Sequence, residues 1–126
     1  LMANQYKGEI KGKLGDKERT FRLTFDSIVN IENRTGKSIL EITNNMAQNK
    51  YSLQDVVIVM HEGLQGAGGK FTQSAVGDMV IKTGLLKIAI LCSEVLMTIF
   101  TGDKEEEDSP LVQGENEPKN TQSSNI

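Results

Sequence analysis

The sequence predicts an α+β fold that is mostly helical, with an N-terminal two-stranded antiparallel hairpin packed on about five helices and a disordered acidic C-terminal tail. Three observations predict this fold. Apolar and polar residues alternate along two short segments near the start of the chain, helix-start signals recur from residue 26 to residue 72, and the composition changes abruptly after Gly102. The predicted organisation is one domain over residues 1–102 and the tail over 103–126.

The hairpin is predicted from two segments of period two. In Gly8–Leu14 the apolar Ile10 and Leu14 share one side, and in Thr20–Phe25 the apolar side carries Phe21, Leu23 and Phe25. The residues between them, 15–18, are typical of a turn. Because an isolated hairpin is not stable in water, its apolar side must lie on the helices that follow.

Five helices are predicted from capping residues and apolar spacing. Asp26, Ser38, Ser52 and Thr72 are candidate N-caps for helices that reach about Arg34, Asn49, Gln65 and Thr83, and a fifth helix covers Leu85 to Thr101. The third helix contains the β-branched run 56–59, which by propensity favours a strand. We predict a helix because its apolar residues fall on one face at helical spacing, namely Leu53, Val56, Val57, Met60 and Leu64.

The last helix is apolar over most of its circumference. Its polar residues Lys87, Glu94, Thr98 and Thr101 fall in one narrow stripe. Such a helix is either the central helix of the core or part of an oligomer interface. We expect the central position, with some of its surface shared with a neighbour.

Charge is unevenly distributed along the chain. Residues 1–25 carry six basic and three acidic groups, whereas residues 102–126 carry seven acidic and two basic groups. The acidic segment has too few apolar residues to offset the entropy of ordering, which predicts disorder in the free protein. The basic and acidic segments either interact, within or between chains, or are both solvated surface.

Composition argues against an enzyme and against a metal or cofactor site. One cysteine and one histidine in 126 residues exclude a disulfide framework, a thiolate zinc cluster and a multi-histidine site. The glycine cluster does not match a phosphate-binding loop, because Gly69-Lys70 is followed by Phe71 instead of a hydroxyl residue. His61 and Cys92 are interpreted as structural residues. We expect no catalytic residue, no cofactor and no metal.

Neither nucleic acid nor a membrane is an expected partner. The net charge of −3, the pI near 5.2 and the absence of tryptophan disfavour nucleic-acid binding, although Lys11, Lys13, Arg19 and Arg22 are predicted on the outer hairpin face. The most apolar stretch, 85–100, is too short to span a bilayer and contains two charges. The first residues lack the pattern of a signal peptide, so a cytoplasmic protein is expected.

Several short motifs together resemble one protein family. They are Asn4-x-x-Lys7-Gly8-Glu9, the run 21–25, Ile31-Glu32 before Gly36, Ser52-Leu53-x-Asp55 and, most distinctively, Gly63-Leu64-x-Gly66-Ala67-Gly68. Over roughly residues 4–102 the chain resembles the small tail proteins of gene transfer agents and related siphophages. The acidic tail lies outside this resemblance.

The resemblance implies a non-enzymatic phage or prophage tail assembly chaperone. Such proteins bind the tape-measure protein and assist tail tube subunits to polymerise around it, in the host cytoplasm during virion assembly. We expect Leu85, Leu86, Ile88, Leu96 and Phe100 to be shared between the core and the partner surface, and self-association is left open. The alternatives are a minor tube-associated protein retained in the virion and, less favoured, a small DNA-binding regulator.

Overall fold

The computed structural model describes residues 8–102, which form a β-hairpin followed by five helices. This arrangement confirms the predicted fold class. The predicted tail, 103–126, lies outside the described residues. The elements are β1 (Glu9–Leu14), β2 (Lys17–Arg22), α1 (Phe25–Thr35), α2 (Ile39–Ala47), α3 (Leu53–Gly66), α4 (Gln73–Thr83) and α5 (Leu85–Thr101).

The hairpin has a tighter turn than predicted. β1 and β2 are antiparallel and pair from Glu9 opposite Arg22 to Leu14 opposite Lys17, so only Gly15 and Asp16 remain for the turn. Gly15 has a φ of +75°, which glycine adopts without a steric penalty. The predicted hairpin is confirmed, but the predicted turn over 15–18 and the predicted bounds 20–25 of the second strand are wrong, because the second strand begins directly after a two-residue turn and ends at residue 22.

The first helix begins earlier than predicted, and its cap is Thr24 instead of Asp26. The Thr24 hydroxyl accepts a hydrogen bond from the Ser27 amide at 3.1 Å, and the Ser27 hydroxyl accepts one from the Thr24 amide at 3.1 Å. This reciprocal pair satisfies two backbone donors that a helix start otherwise leaves unpaired. Phe25 is consequently the first helical residue and is 78% exposed, so it does not belong to the apolar side of the hairpin.

The other three predicted caps are confirmed. The hydroxyls of Ser38, Ser52 and Thr72 each accept a hydrogen bond from the amide three residues further along the chain. The second helix ends at Ala47, two residues before the predicted Asn49, and Asn49 itself has a φ of +57°. A left-handed residue cannot continue the helix, which explains the earlier end.

The centre of the core is α3, whereas the sequence pattern favoured α5. Nine of the fourteen α3 residues are buried, including all of 55–60, and α3 contacts β2, α1, α4 and α5. Ile58 and Val59, outside the predicted face, are buried, whereas Leu53 is 41% exposed. A helix that is buried on all sides has no single apolar face. The helical spacing of the apolar residues therefore predicted a helix correctly, but it did not predict that this helix lies at the centre of the fold.

The hairpin lies across α3, α4 and α5. Phe21 is fully buried and packs beside Gly63, and the Gly15 amide donates a 2.7 Å hydrogen bond to the Thr83 hydroxyl at the end of α4. β1 contacts both α4 and α5. The helices therefore cover the apolar side of the hairpin, as its marginal stability requires.

Within residues 8–102 no single helix is long and apolar enough to cross a membrane. Only α4 and α5 taken together reach that length and composition, and they are bent by 119° with respect to each other.

Candidate partner-binding surface

The glycine-rich motif at the end of α3 has a structural role in seating the hairpin. A Cβ atom on Gly66 would overlap the carbonyl oxygen of Arg22 in β2, and a Cβ on Gly63 would touch Phe21 at 3.4 Å. Leu64 is buried, Ala67 is the C-cap of α3, and Gly68 follows with a φ of +96°. Gly66 therefore permits the close approach of strand and helix, and Gly68 permits the turn toward α4.

His61 connects α1 and the loop between α3 and α4 through its ring. Its Nε2 lies 2.6 Å from the Phe71 carbonyl oxygen and its Nδ1 lies 3.0 Å from Arg34 Nη1. A carbonyl only accepts and a guanidinium only donates, so Nε2 carries the proton and Nδ1 accepts. Both ring nitrogens are thus occupied by structural contacts.

Arg34 and Glu62 form a buried ion pair between α1 and α3. The Glu62 carboxylate is nearly inaccessible and accepts hydrogen bonds from Arg34 Nη1 at 2.6 Å and from Asn30 Nδ2 at 3.2 Å. Arg34 also bonds Gln73 at the start of α4. A second pair links Lys37 Nζ to Asp55 at 2.9 Å, and this hydrogen bond and the charge of Asp55 raise the pKa of Lys37. The first pair joins α1 to α3, and the second joins the loop between α1 and α2 to α3.

Cys92 is fully buried in α5 among core side chains. Burial, with a smaller contribution from the charge of Asp55, raises the pKa of its thiol to about 12. The thiolate, which is the reactive form of cysteine, is therefore disfavoured at neutral pH. Among the described residues no three His, Cys, Asp or Glu side chains are grouped so that they could hold a metal ion.

The exposed part of α5 carries an elongated apolar surface. Four large side chains are exposed along it: Leu86 by 76%, Ile90 by 66%, Met97 by 47% and Phe100 by 43%. We call these four residues the α5 stripe. At a rise of 1.5 Å per residue the stripe extends about 21 Å. An elongated apolar surface of this kind is typical of a protein–protein contact.

The α5 stripe differs from the set of partner residues predicted from sequence. Leu86 and Phe100 are exposed, Leu85 is half-buried, and Ile88 and Leu96 are 1% and 0% exposed and belong to the core. Sequence reasoning missed Ile90 and Met97. The signal was present, because residues 86, 90 and 97 follow helical spacing and lie beside the polar stripe.

A trough runs between β1 and α5 along one side of this stripe. Its first part, about 930 Å³, begins at Gly102, and its second part, about 540 Å³, ends at Lys82. The two parts share Lys11, Ile90 and Glu94, so they are continuous. Its lining includes four lysines, Lys11, Lys13, Lys82 and Lys87, and three carboxylates, Glu9, Asp16 and Glu94. We call the whole feature the basic trough, because its lysines outnumber its carboxylates by one.

Arg19 does not join these lysines, although the sequence predicted it on the outer hairpin face. It lies on the inner face beside Phe21, with its guanidinium 5.2 Å from the centre of the Phe71 ring. Its Nε also donates a 3.1 Å hydrogen bond to the Leu14 carbonyl. The Phe71 ring, in the loop between α3 and α4, and the Leu14 carbonyl both contact the Arg19 guanidinium and explain its inward position.

The family comparison gives a result that covers most of the chain. A family model described as phage tail tube protein, GTA-gp10, matches residues 7–102. The chain belongs to this family. The match confirms the resemblance found over residues 4–102, and it includes the hairpin, all five helices and the Gly63–Gly68 motif. Neither a curated protein nor a solved structure gives a match.

Membership of this family defines the general role of the protein. It is a tail protein of the phage and gene transfer agent class, and it assembles with other tail proteins. The α5 stripe and the basic trough beside it are two surface features that a partner can reach.

Proposed function

We propose that the protein is a non-enzymatic tail assembly chaperone that binds the tape-measure protein through the α5 stripe. The observation that carries the proposal is the exposure of Leu86, Ile90, Met97 and Phe100 along α5. A tape-measure protein is expected to be long and helical. An apolar stripe about 21 Å long matches about four turns of an amphipathic helix laid beside it.

The small size of the sheet also supports a chaperone. Within residues 8–102 the sheet has two strands of six residues each. A tube wall is usually built from rings of a large β-sandwich, which needs many more strands. The proposed chaperone acts in the host cytoplasm during assembly and contacts tube subunits as they polymerise on the tape-measure protein.

The test is co-expression of the full chain with the neighbouring tape-measure protein, followed by measurement of soluble co-purification. We expect a soluble complex with the unmodified chain and its loss with the double variant Leu86→Asp/Ile90→Asp. The matched control is Phe25→Asp/Leu40→Asp, which changes two side chains on α1 and α2 that are exposed by 78% and 69%, close to the 76% and 66% of Leu86 and Ile90. Circular dichroism checks that both variants fold.

Each result decides between specific possibilities. If the α5 variant retains the complex, or the control loses it equally, the α5 stripe is not the binding surface. Sedimentation of the purified chain shows in addition whether the stripe pairs two copies. That self-association would compete with tape-measure binding.

A second candidate is a minor tube-associated protein that remains in the virion. The observation that favours it is the family description, which names a tail tube protein. Mass spectrometry of purified particles distinguishes the two. Stoichiometric presence in finished tails, without a soluble tape-measure complex, would replace the chaperone by this structural role.

A further inference from the structure

The outer edge of β1 carries backbone groups that no strand of residues 8–102 pairs. β1 pairs with β2 along one edge only, and the basic trough follows the other edge. Leu14 and Lys17 flank the two-residue turn and form a hydrogen-bonded pair, and such pairs alternate along the two strands. The amides and carbonyls of Glu9, Lys11 and Lys13 therefore point to the free edge. An edge of this kind is a template for another strand.

The free edge is complementary to itself. We propose that two copies of the chain pair through β1, antiparallel, about a twofold axis at Lys11, and so form a four-stranded sheet. In this register Glu9 of each copy lies opposite Lys13 of the other, which gives two cross-strand pairs of opposite charge. Odd-numbered residues meet odd-numbered residues, so the edge backbone groups bond to each other and both apolar sides face the helices.

The neighbouring registers are less favourable. An axis at Gly12 would place Lys11 opposite Lys13 twice, and like charges directly opposite each other are destabilising. An axis at Ile10 would pair only three residues of each strand, because Gly8 has a φ of +82° and precedes the strand. Charge and strand length together therefore select the register centred on Lys11.

The axis also brings Lys11 beside its own copy, which is the one pair of like charges in this register. Glu94 on α5 lies next to it, because Lys11 and Glu94 line both parts of the basic trough. Two lysines and two glutamates from the two copies thus surround the axis. Their charges balance, so the contact between the lysines is offset.

α5 runs antiparallel to β1 along this edge. Glu9 lines the first part of the trough with Thr101, at the end of α5, and Lys13 lines the second part with Lys87, near the start of α5. A twofold axis perpendicular to the sheet therefore also places the two copies of α5 side by side and antiparallel.

The position of the axis on α5 follows from one close contact. Gly12 lies directly against the Leu91 side chain. One strand residue spans about 3.4 Å, which equals about two residues of a helix at 1.5 Å each. Lys11, one residue before Gly12, therefore lies beside about residue 93, and the axis crosses α5 near Ser93.

The α5 stripe is centred on the same residue. Leu86 and Phe100 are each seven residues from Ser93, and Ile90 and Met97 lie three and four residues from it. An axis at this point sets Leu86 of one copy against Phe100 of the other and Ile90 against Met97. The strand and the stripe indicate the same axis, although one is argued from charge and the other from exposed apolar side chains.

The test is sedimentation equilibrium of the full chain with no partner present. We expect the unmodified chain to dimerise. Glu9→Lys and Lys13→Glu each replace two opposite-charge pairs by two like-charge pairs, so each variant alone should dimerise at least about tenfold more weakly. An equimolar mixture of the two variants restores both opposite-charge pairs and should dimerise like the unmodified chain.

A matched pair of variants controls for charge alone. Each substitution changes the formal charge of −3 by two, to −1 for Glu9→Lys and to −5 for Lys13→Glu, so both variants stay acidic. Asp78→Lys and Lys70→Glu make the same changes at exposed residues outside the trough and should leave dimerisation unchanged. Circular dichroism checks folding. A monomeric unmodified chain, or a mixture that does not restore the dimer, would overturn the proposal.

Amide hydrogen exchange identifies the edge and the register. The amides of Glu9, Lys11 and Lys13 gain partners only in the dimer, whereas those of Ile10 and Gly12 are bonded to β2 in both states. We expect exchange at the first three to slow as the protein concentration rises, with no change at the other two. A dimer in which the Lys13 amide exchanges as fast as in the monomer would contradict this pairing.

The dimer has a consequence for partner binding, and this step rests on the proposed function. All four residues of the α5 stripe are covered in the dimer, so the tape-measure protein must displace the second copy. If about 90% of the chain is dimeric, the apparent affinity falls about tenfold, and Glu9→Lys should bind about tenfold more tightly than the unmodified chain. Equal affinities would contradict the competition. No binding by either protein would contradict the chaperone function and leave the dimer, measured without tape-measure protein, in place.

Discussion

Arg34 Nη1 at the end of α1 lies 2.6 Å from Glu62 Oε2 in the middle of α3. The two side chains are 26% and 6% exposed, so the carboxylate is nearly free of solvent and the guanidinium is its main source of compensating charge. The same guanidinium reaches His61 and Gln73. A single residue therefore joins α1, α3 and the start of α4.

Removing Arg34 should destabilise the fold strongly. Arg34→Met leaves the Glu62 carboxylate buried without its cation, and we expect unfolding free energy to fall by about 3–5 kcal/mol. Arg34→Met/Glu62→Leu removes the buried charge as well and should be more stable than the single variant. Urea unfolding measures both. A double variant no more stable than Arg34→Met would show that packing, and not the unpaired charge, is responsible.

Gly66 should tolerate no side chain. Gly66→Ala places a Cβ on the Arg22 carbonyl oxygen, and separation of β2 from α3 should cost about 3 kcal/mol. The matched control is Gly77→Ala within α4, where the nearest atom to the new Cβ is a Val57 methyl at 4.0 Å. There the loss of glycine flexibility should stabilise the protein by about 0.5–1 kcal/mol. Thermal unfolding that ranks the two variants in the opposite order would contradict the close approach.

The identity of the first helix cap can be tested with two alanine substitutions. Thr24→Ala removes the hydroxyl that accepts from the Ser27 amide and should destabilise the protein by about 1 kcal/mol. Asp26 is exposed in the first turn and contributes only its interaction with the helix dipole, so Asp26→Ala should cost at most about 0.5 kcal/mol. A larger loss for Asp26→Ala in denaturant unfolding would restore Asp26 as the cap.

Ionisation of Cys92 should lower the free energy of unfolding at alkaline pH. Its pKa is raised from 9.0 to about 12 by burial, so the unfolded chain ionises first as pH rises. Below pH 9 the thiol is protonated in both states and the free energy of unfolding is unaffected. Between about pH 9 and 12 only the unfolded chain ionises, so the free energy of unfolding falls. Between pH 8 and 10 the native chain should lose about 1.4 kcal/mol more than Cys92→Ala, whose cavity cost does not depend on pH. Parallel pH profiles for the two proteins would contradict this assignment.

Local sequence signals predicted most of the helices because their physical causes are local. Ser38, Ser52 and Thr72 cap helices through amides only three residues away. Gly36, with a φ of +73°, ends α1 after Thr35, one residue beyond the predicted Arg34. The first cap was predicted at the wrong residue because Thr24 and Asp26 are both good N-cap residues. The two-residue turn of the hairpin determines where β2 ends, and this in turn determines that the helix begins after Thr24.

The candidate site was predicted only in part, because exposure depends on residues that are distant along the chain. Ile88, Ile90 and Leu96 are all apolar residues of the same helix, yet the first and last are buried and Ile90 is 66% exposed.

The amino-acid order alone was sufficient for the element types, the family and the non-uniform charge, since each depends on short motifs or composition. Only the tertiary structure determined three further features. They are the central position of α3, the pairing of Arg34 with Glu62, and the position of Lys11 and Lys87 in one trough. These contacts join residues far apart in sequence, and they form only where the hairpin and helices bury their apolar sides against one another.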